Sequence, residues 1–282
     1  MGFTFAWPKR VLMVSPDYFR VDYAINPYMR DSEANLQSID SARAKQQWQN
    51  LKQTFTDLGL SVEVLPGQPD FPDMVFCANT CLPFLDHFEK MHLVLSRIPN
   101  EQRRGEVDFM RAWAQENRIK NYTVTDFDFD GGGDAIWNFE KRELWGGYGF
   151  RSDRRAYDQI DKICPWKIQR VKLVDPRFYH LDTAFACLRA DTVAYVPEAF
   201  DEPSRQLIES RFPNRLIIDV HEAQNHFAAN CVSVDGRHVV LQKGFTRFVD
   251  QLRQSGFIPV ETDVSEFLKS GGATFCMKQI LF

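Results

Sequence analysis

Apolar positions along the chain alternate between helical and extended spacing. From Ser41 to about Leu58, Ala44, Trp48, Leu51, Phe55 and Leu58 share one helical face, and Gly59 stops the run. Similar amphipathic segments centre on Met110/Trp113, Tyr157/Ile160, Leu207/Ile208 and Phe248/Leu252. Their spacing of roughly fifty residues signals internal repetition. Extended segments fill the gaps in pairs: VFCANTCLPF then MHLVLSR, GGGDAIWNF then ELWGGYGF, YHLDTAFACLR then TVAYVPEAF, FAANCVSVDG then HVVLQKGF. The last copy, GGATFCMKQILF, lacks a following strand, and the N-terminal RVLMVSPDYF is predicted to supply it and so close a ring of five units. No Pro/Gly/Ser-rich linker or low-complexity tract separates the copies, so residues 1–282 read as one domain.

Alternating strands and helices ordinarily predict a doubly wound parallel sheet. Here each helix is flanked by strand pairs, which favours an α/β fold of mixed-sheet ββαβ repeats arranged radially. In a radial array the equivalent ends of the inner strands, Asn79, Asp134, Asp182, Asn230 and Cys276, converge on one small central cavity.

Composition narrows the function. The 282 residues carry 34 basic and 38 acidic side chains, a formal charge of −4, which argues against a nucleic-acid partner because neutralising phosphates takes a basic surplus. No stretch approaches the ~18 consecutive apolar residues of a membrane span. The N-terminus has no basic leader or small-residue cleavage site. Six cysteines, at 77, 81, 164, 187, 231 and 276, form neither a disulfide framework nor a zinc pattern. A reduced, soluble, cytoplasmic protein is expected.

Several residues carry candidate chemistry, each beside a plainer reading. An unpaired cysteine is most often a buried small hydrophobe, but Cys276 follows Gly271-Gly272, a loop that lets backbone approach a ligand. His180 and Asp182, two apart in an extended segment, share a face, as a proton shuttle or as a structural pair. A cysteine with a distant histidine suits a thiol nucleophile and its acid–base partner. Asp128, Asp130 and Asp134 bracket Gly131–Gly133; carboxylates there repel phosphate and suit a cation such as guanidinium. His221 and His226 lie five apart, a spacing that rejects a metal site on one helical face. Arg97 and Arg151 each end an extended run, as surface groups or as a clamp for a carboxylate.

Taken together, PDMVF with CANT, the DGGGD loop, GYGFRS, FYHLDTAF, FAANCV and GGATFC resemble the guanidine-modifying, or amidinotransferase, superfamily over essentially the whole chain. DYAINPYM, ANT, YHLDT and LKSGGA resemble most the arginine dihydrolase domain at the N-terminus of cyanobacterial arginine dihydrolase/ornithine cyclodeaminase proteins. The resemblance implies a five-bladed α/β propeller with pseudo-fivefold symmetry and a hydrolase acting on the guanidinium carbon of arginine or a derivative. It implies Cys276 as nucleophile and His180 as acid and then base. Asp182 with Asp130 or Asp134 would hold the guanidinium, Arg97 and Arg151 the α-carboxylate, and Asp73 the α-amine; Asn26 would lie near the head group. No cofactor, metal, nucleic acid or membrane partner is implied, no cyclodeaminase activity is expected, and a homo-oligomer is compatible with the sequence.

Two departures shape the expected activity. Deiminases and dimethylargininases of the superfamily carry an acidic residue where this chain has Asn79. An amide both accepts from N–H and donates to C=O, so it holds citrulline as well as arginine. That favours a dihydrolase, releasing ornithine, carbon dioxide and two ammonia, over a deiminase or dimethylargininase giving citrulline. Asp130 stands where the dihydrolase group has Glu, which leaves methylated arginine open as a substrate. A non-catalytic arginine-binding propeller is the reading from a different class; the presence of both Cys276 and His180 weighs against it.

Overall fold

The apolar repeats fold into three-stranded sheets of one topology. The computed structural model describes residues 7–124, 126–244 and 246–282. It begins with β1 (Arg10–Val14), a helix α1 (Ser41–Asp57) and β2 (Ser61–Leu65), which returns parallel to β1. The next unit is β3 (Cys81–Leu85), β4 (Met91–Leu95), α2 (Glu106–Glu116) and β5 (Lys120–Thr123). Then come β6 (Ala135–Asn138), β7 (Glu143–Tyr148), α3 (Ala156–Ile160) and β8 (Lys167–Lys172). The fourth has β9 (Phe185–Arg189), β10 (Thr192–Tyr195), α4 (Glu202–Arg211) and β11 (Asn214–Ile217). The fifth has β12 (Val232–Ser233), β13 (His238–Gln242), α5 (Arg247–Gln254) and β14 (Ile258–Thr262). In each complete unit the first two strands pair antiparallel and the third pairs parallel with the second.

A last strand, β15 (Gln279–Leu281), pairs antiparallel with β1, Val11 opposite Ile280, so the N-terminal segment completes the C-terminal sheet. The middle strands read as near-continuous apolar runs because they are covered on both faces: Leu93, Val94 and Leu95 are fully buried, as are Val239, Val240 and Leu241. Parallel return to the middle strand requires a crossover, and an amphipathic helix supplies it each time. Asp40 and Asp201 start two of these helices by accepting from backbone N–H groups of their first turns. The expected extended run FAANCVSVDG yields only the two-residue β12, because the residues before it form a turn around Asn230.

Aromatic side chains pack between neighbouring sheets. Trp145 on β7 is fully buried against Phe185 on β9 and Phe212 beyond α4, with ring centroids 5.1 and 5.2 Å away. The first strands of neighbouring units touch: β6 with β9, β9 with β12, β15 with β3. Among the described residues no helix is long and apolar enough to cross a membrane. Trp145→Ala removes the largest fully buried side chain, and urea denaturation should register a loss of about 3–5 kcal/mol. A loss under about 1 kcal/mol would mean that this seam between sheets carries little stability.

Candidate active site

Short turns precede the first strand of every unit, and hydrogen bonds join these turns head to tail. Asn79 Nδ2 donates to Asp130 O (3.4 Å), Leu181 N to Asp134 Oδ1 (3.0 Å), and Asn230 Nδ2 to Asp182 O (3.3 Å). Cys276 N donates to Asn230 Oδ1 (3.2 Å), and Ala78 N to Cys276 O (3.2 Å), which returns to the first turn. The circuit brings Asn79, Asp130, His180, Asp182 and Cys276 together from positions up to 197 residues apart, the difference between 276 and 79.

Cys276 lies in the turn after Gly271-Gly272, nearly completely buried. Its thiol donates to Asp182 Oδ2 (3.0 Å) and the sulfur accepts from Asn230 Nδ2 (3.1 Å). Burial pushes the thiol well above its usual 9.0, the Asp182 carboxylate adds to that, and the Asn230 amide opposes it. Burial and the bond to Asp182 both favour the thiol, and positive charge beside Asp182 would favour the thiolate. Asn230 was visible in sequence only as one of five equivalent strand ends. Its Oδ1 accepts from the N–H groups of Ala273, Phe275 and Cys276, so one side chain shapes the whole nucleophile turn.

His180 Nε2 bonds Asp130 Oδ2 at 2.7 Å, with both groups buried. Burial alone would lower the imidazole; the charge and hydrogen bond of Asp130, then the charge of Asp134, raise it above 6.5. The same pairing, with His180 as the main cause, overrides burial and keeps Asp130 below the usual carboxylate value. Asp134 stands apart from the expected guanidinium contact. Its two oxygens accept from Ser152 N (3.1 Å), Ser152 Oγ (2.7 Å) and Leu181 N (3.0 Å), so it ties two turns together behind the cavity. Burial holds Asp134 up at about 6. Of the two, Asp130 and not Asp134 bonds the imidazole.

A small cavity of about 20 Å³ is bordered by Asn26, Asp73, Asn79, Arg151, Tyr179, His180 and Cys276. Asn26 donates to Ser270 O (2.9 Å), and Asp73 Oδ1 accepts from Ser270 Oγ (2.8 Å). Arg151 donates to Ile25 O (2.6 Å) and to Asn100 Oδ1, and its guanidinium lies 4.9 Å from the Tyr179 ring. Tyr179 in turn donates to Gly271 O (2.5 Å); Gly271 has φ +88° and lies so close that a Cβ would strike both Tyr179 and Asn26. Arg97 is not part of this border. It sits beyond the end of β4, its side chain 44% exposed, 3.8 Å from Asp128.

The buried guanidinium at the cavity belongs instead to Arg103, which sequence reading passed over because RR at the start of an amphipathic run looks like a solvated helix end. Arg103 pairs with the fully buried Glu106 through two bonds, 2.9 and 2.8 Å, and donates to Asn79 Oδ1 (3.1 Å). Burial raises Glu106 to about 7 despite Arg103. Because Arg103 can only donate, Asn79 must present Oδ1 to it, which turns Nδ2 toward Asp130 and His180. Gly133 permits this, since a Cβ there would collide with Asn79 Nδ2.

Three buried carboxylate oxygens around this site, Asp73 Oδ2, Asp130 Oδ1 and Asp182 Oδ1, have no hydrogen-bond partner among the described residues. Buried acceptors left unpaired are costly; Asp73 borders the cavity, and Asp130 and Asp182 bond His180 and Cys276 on its border, an arrangement suited to a ligand with several N–H donors.

No protein-family model matches the chain. It is 37% identical over 268 residues to the N(G),N(G)-dimethylarginine dimethylaminohydrolase of Mycobacterium tuberculosis, covering 95% of this chain and 84% of that one. The chain belongs to the guanidine-modifying superfamily. A second superfamily relative is the bifunctional arginine dihydrolase/ornithine cyclodeaminase ArgZ of Synechocystis, 38% identical over 272 residues. That match covers 95% of this chain but 37% of ArgZ, so the chain spans little more than a third of that relative. The crystal structure of the N-terminal domain of ArgZ, a cysteine-to-serine mutant bound to substrate, superposes with TM-score 0.89 at 37% identity, covering 96% of this chain and 97% of that domain. An asparagine-to-serine form of the same domain is covalently bound to a reaction intermediate. In this superfamily member the charge on Asp182 is one of the two main causes of the high thiol value of Cys276, and Asp182→Asn removes that charge while keeping the shape. The pH midpoint for alkylation of Cys276 by iodoacetamide should move down in Asp182→Asn. An unmoved midpoint would assign the elevation to burial alone.

Proposed function

We propose that this chain is an arginine dihydrolase: a hydrolase that attacks the guanidinium carbon of arginine through Cys276 and carries the product on to ornithine. The observation that carries the proposal is the set of three unpaired carboxylate oxygens on Asp73, Asp130 and Asp182 around Cys276 and His180. Asp130 and Asp182 suit a guanidinium, and Asp73, bonded to Ser270 and bordering the same cavity, suits the α-ammonium. Arg151 would take the α-carboxylate, a role supported by its place on the cavity border, where Arg97 is absent. The joined turns and the contacts between first strands support a five-bladed α/β propeller formed by residues 1–282 as one domain.

Substrate binding adds positive charge beside the thiol. A guanidinium beside Asp182 neutralises the carboxylate that opposes ionisation and itself favours thiolate. Cys276 then adds to the guanidinium carbon, and His180, charged through its pairing with Asp130, protonates the departing ammonia. The neutral imidazole next takes a proton from water, which attacks the S-linked thiouronium carbon; collapse expels the thiolate and leaves citrulline. In a second round Cys276 attacks the ureido carbon, ammonia leaves, and hydrolysis of the thiocarbamate gives a carbamate that loses carbon dioxide to form ornithine. The sum is arginine plus two water to ornithine, carbon dioxide and two ammonia.

Asn79 supports the second round. With Oδ1 held by Arg103, the Nδ2 donor is directed to the Asp130–His180 side, where it complements a ureido oxygen. A carboxylate at that position would repel the same oxygen. The free space of about 20 Å³ is roughly one water's worth, so arginine needs lining residues to move apart.

Arginine labelled at both terminal guanidino nitrogens, followed by mass spectrometry, should yield ornithine and two labelled ammonia, and Cys276→Ser should abolish turnover. Asn79→Asp should stop the reaction at citrulline with one labelled ammonia. Citrulline as the end product of the unmodified protein would make it a deiminase instead, and turnover of dimethylarginine alone would make it a dimethylargininase. Retained arginine binding without any turnover would leave a binding module.

A further inference from the structure

Past the nucleophile the chain runs Met277, Lys278, Gln279 into β15, and Lys278 borders a second cavity that shares no lining residue with the first. First strands of all five units contribute to it: β3, β6, β9, β12 and β15. Its walls are mainly apolar, with Leu82, Ile136, Ala186, Val232, Phe275 and Ile280, and its volume is about 40 Å³. Lys278 is 1% exposed and, among the described residues, is the only charged one in the lining. The ammonium rests 3.3 Å from the centroid of the Phe275 ring, which offsets part of its desolvation. Among the described residues it makes no hydrogen bond or ion pair. Every other lysine or arginine in the buried interior has one: Arg103, the comparable case, has Glu106.

An unpaired buried ammonium facing an apolar cavity is an incomplete arrangement. The groups that act on it are Cys77, Asp182 and Cys276, and Cys187 and Cys231 line the same space; none is a bonded counter-ion. Desolvation draws its pKa down to about 8, with those groups opposing the fall. We propose that this second cavity binds a small monovalent anion, of the size and charge of chloride or bicarbonate, against Lys278 Nζ. The volume admits about one such ion. One cation among apolar walls does not compensate the hydration lost by a dianion such as phosphate, and the lining donors Trp137 Nε1, Ser233 Oγ and Gln279 Nε2 already bond backbone carbonyls.

Occupancy has a consequence for the nucleophile, a part of the inference that rests on Cys276 being the attacking group. Lys278 acts electrostatically on Asp182 and Cys276. An anion that neutralises it withdraws a cation from the thiolate, so Cys276 ionises less readily with the site filled.

Thermal denaturation of the full chain near neutral pH, in chloride, bicarbonate or bulky gluconate at equal ionic strength, tests the site. Chloride or bicarbonate should raise Tm by about 2 °C per tenfold concentration above the dissociation constant, with no rise in gluconate. The rise should vanish in Lys278→Met and also at a pH well above 8, where the amine is neutral. An equal rise in all three salts, or one retained in Lys278→Met, overturns the proposal. Bromide-soaked crystals of the unmodified protein give a reading that does not depend on the variant folding. An anomalous peak at about 3.3 Å from Lys278 Nζ supports the site, and its absence overturns it. With the site confirmed, alkylation of Cys276 near pH 8 should slow about twofold in chloride relative to gluconate. An unchanged rate would refute the coupling, and neither result depends on which guanidino substrate the active cavity takes.

Discussion

Everything at the centre of this protein depends on one constraint: five backbone turns must meet without leaving buried polar groups unpaired. Their N–H and C=O groups lie out of reach of strand pairing and of solvent, so each turn satisfies the next. Asn230 bears the largest share. Its single amide takes three N–H groups of the nucleophile turn and gives its own N–H groups to Asp182 O and to the Cys276 sulfur. The same bonds that let the turns pack also aim the thiol at Asp182. Structure and chemistry therefore share one set of hydrogen bonds, and the reactive residues are held by rigid elements at the strand ends.

Charge completes the picture. The centre holds buried carboxylates in excess of its cations, and their partners sort their roles. Asp134 spends both oxygens on Ser152 and Leu181 and is structural. Asp73, Asp130 and Asp182 each keep one oxygen unpaired; Asp73 borders the cavity, and the other two bond its lining residues His180 and Cys276. A site with a neutral thiol, an imidazole raised by Asp130 and unpaired carboxylate oxygens is poised for a cation, and the cation in turn promotes the thiolate. Specificity and activation thus come from the same electrostatic imbalance.

Local pattern made much of this readable. Amphipathic spacing located all five crossover helices, and the missing partner of the last strand pointed to Arg10–Val14. Glycines before Asp134 and Cys276 marked turns where backbone approaches side chain. The roles of neighbouring acidic residues were not readable: Asp130 and Asp134 differ in function only because Ser152, eighteen and more residues downstream, binds one and His180 binds the other. Nothing in RIPNEQRRGE says that Arg103, and not Arg97, turns inward.

Sequence alone located the five crossover helices and most of the strand pairs between them, the repetition of the units, and the residue types available for thiol and carboxylate chemistry. These follow from periodicity and side-chain chemistry, which are local. Tertiary structure decided which of those residues meet, how the amide of Asn79 is turned, and that Lys278 lies buried without a counter-ion. Such facts depend on contacts between segments far apart in the chain, and on desolvation, which is a property of the packed interior and not of any residue in it.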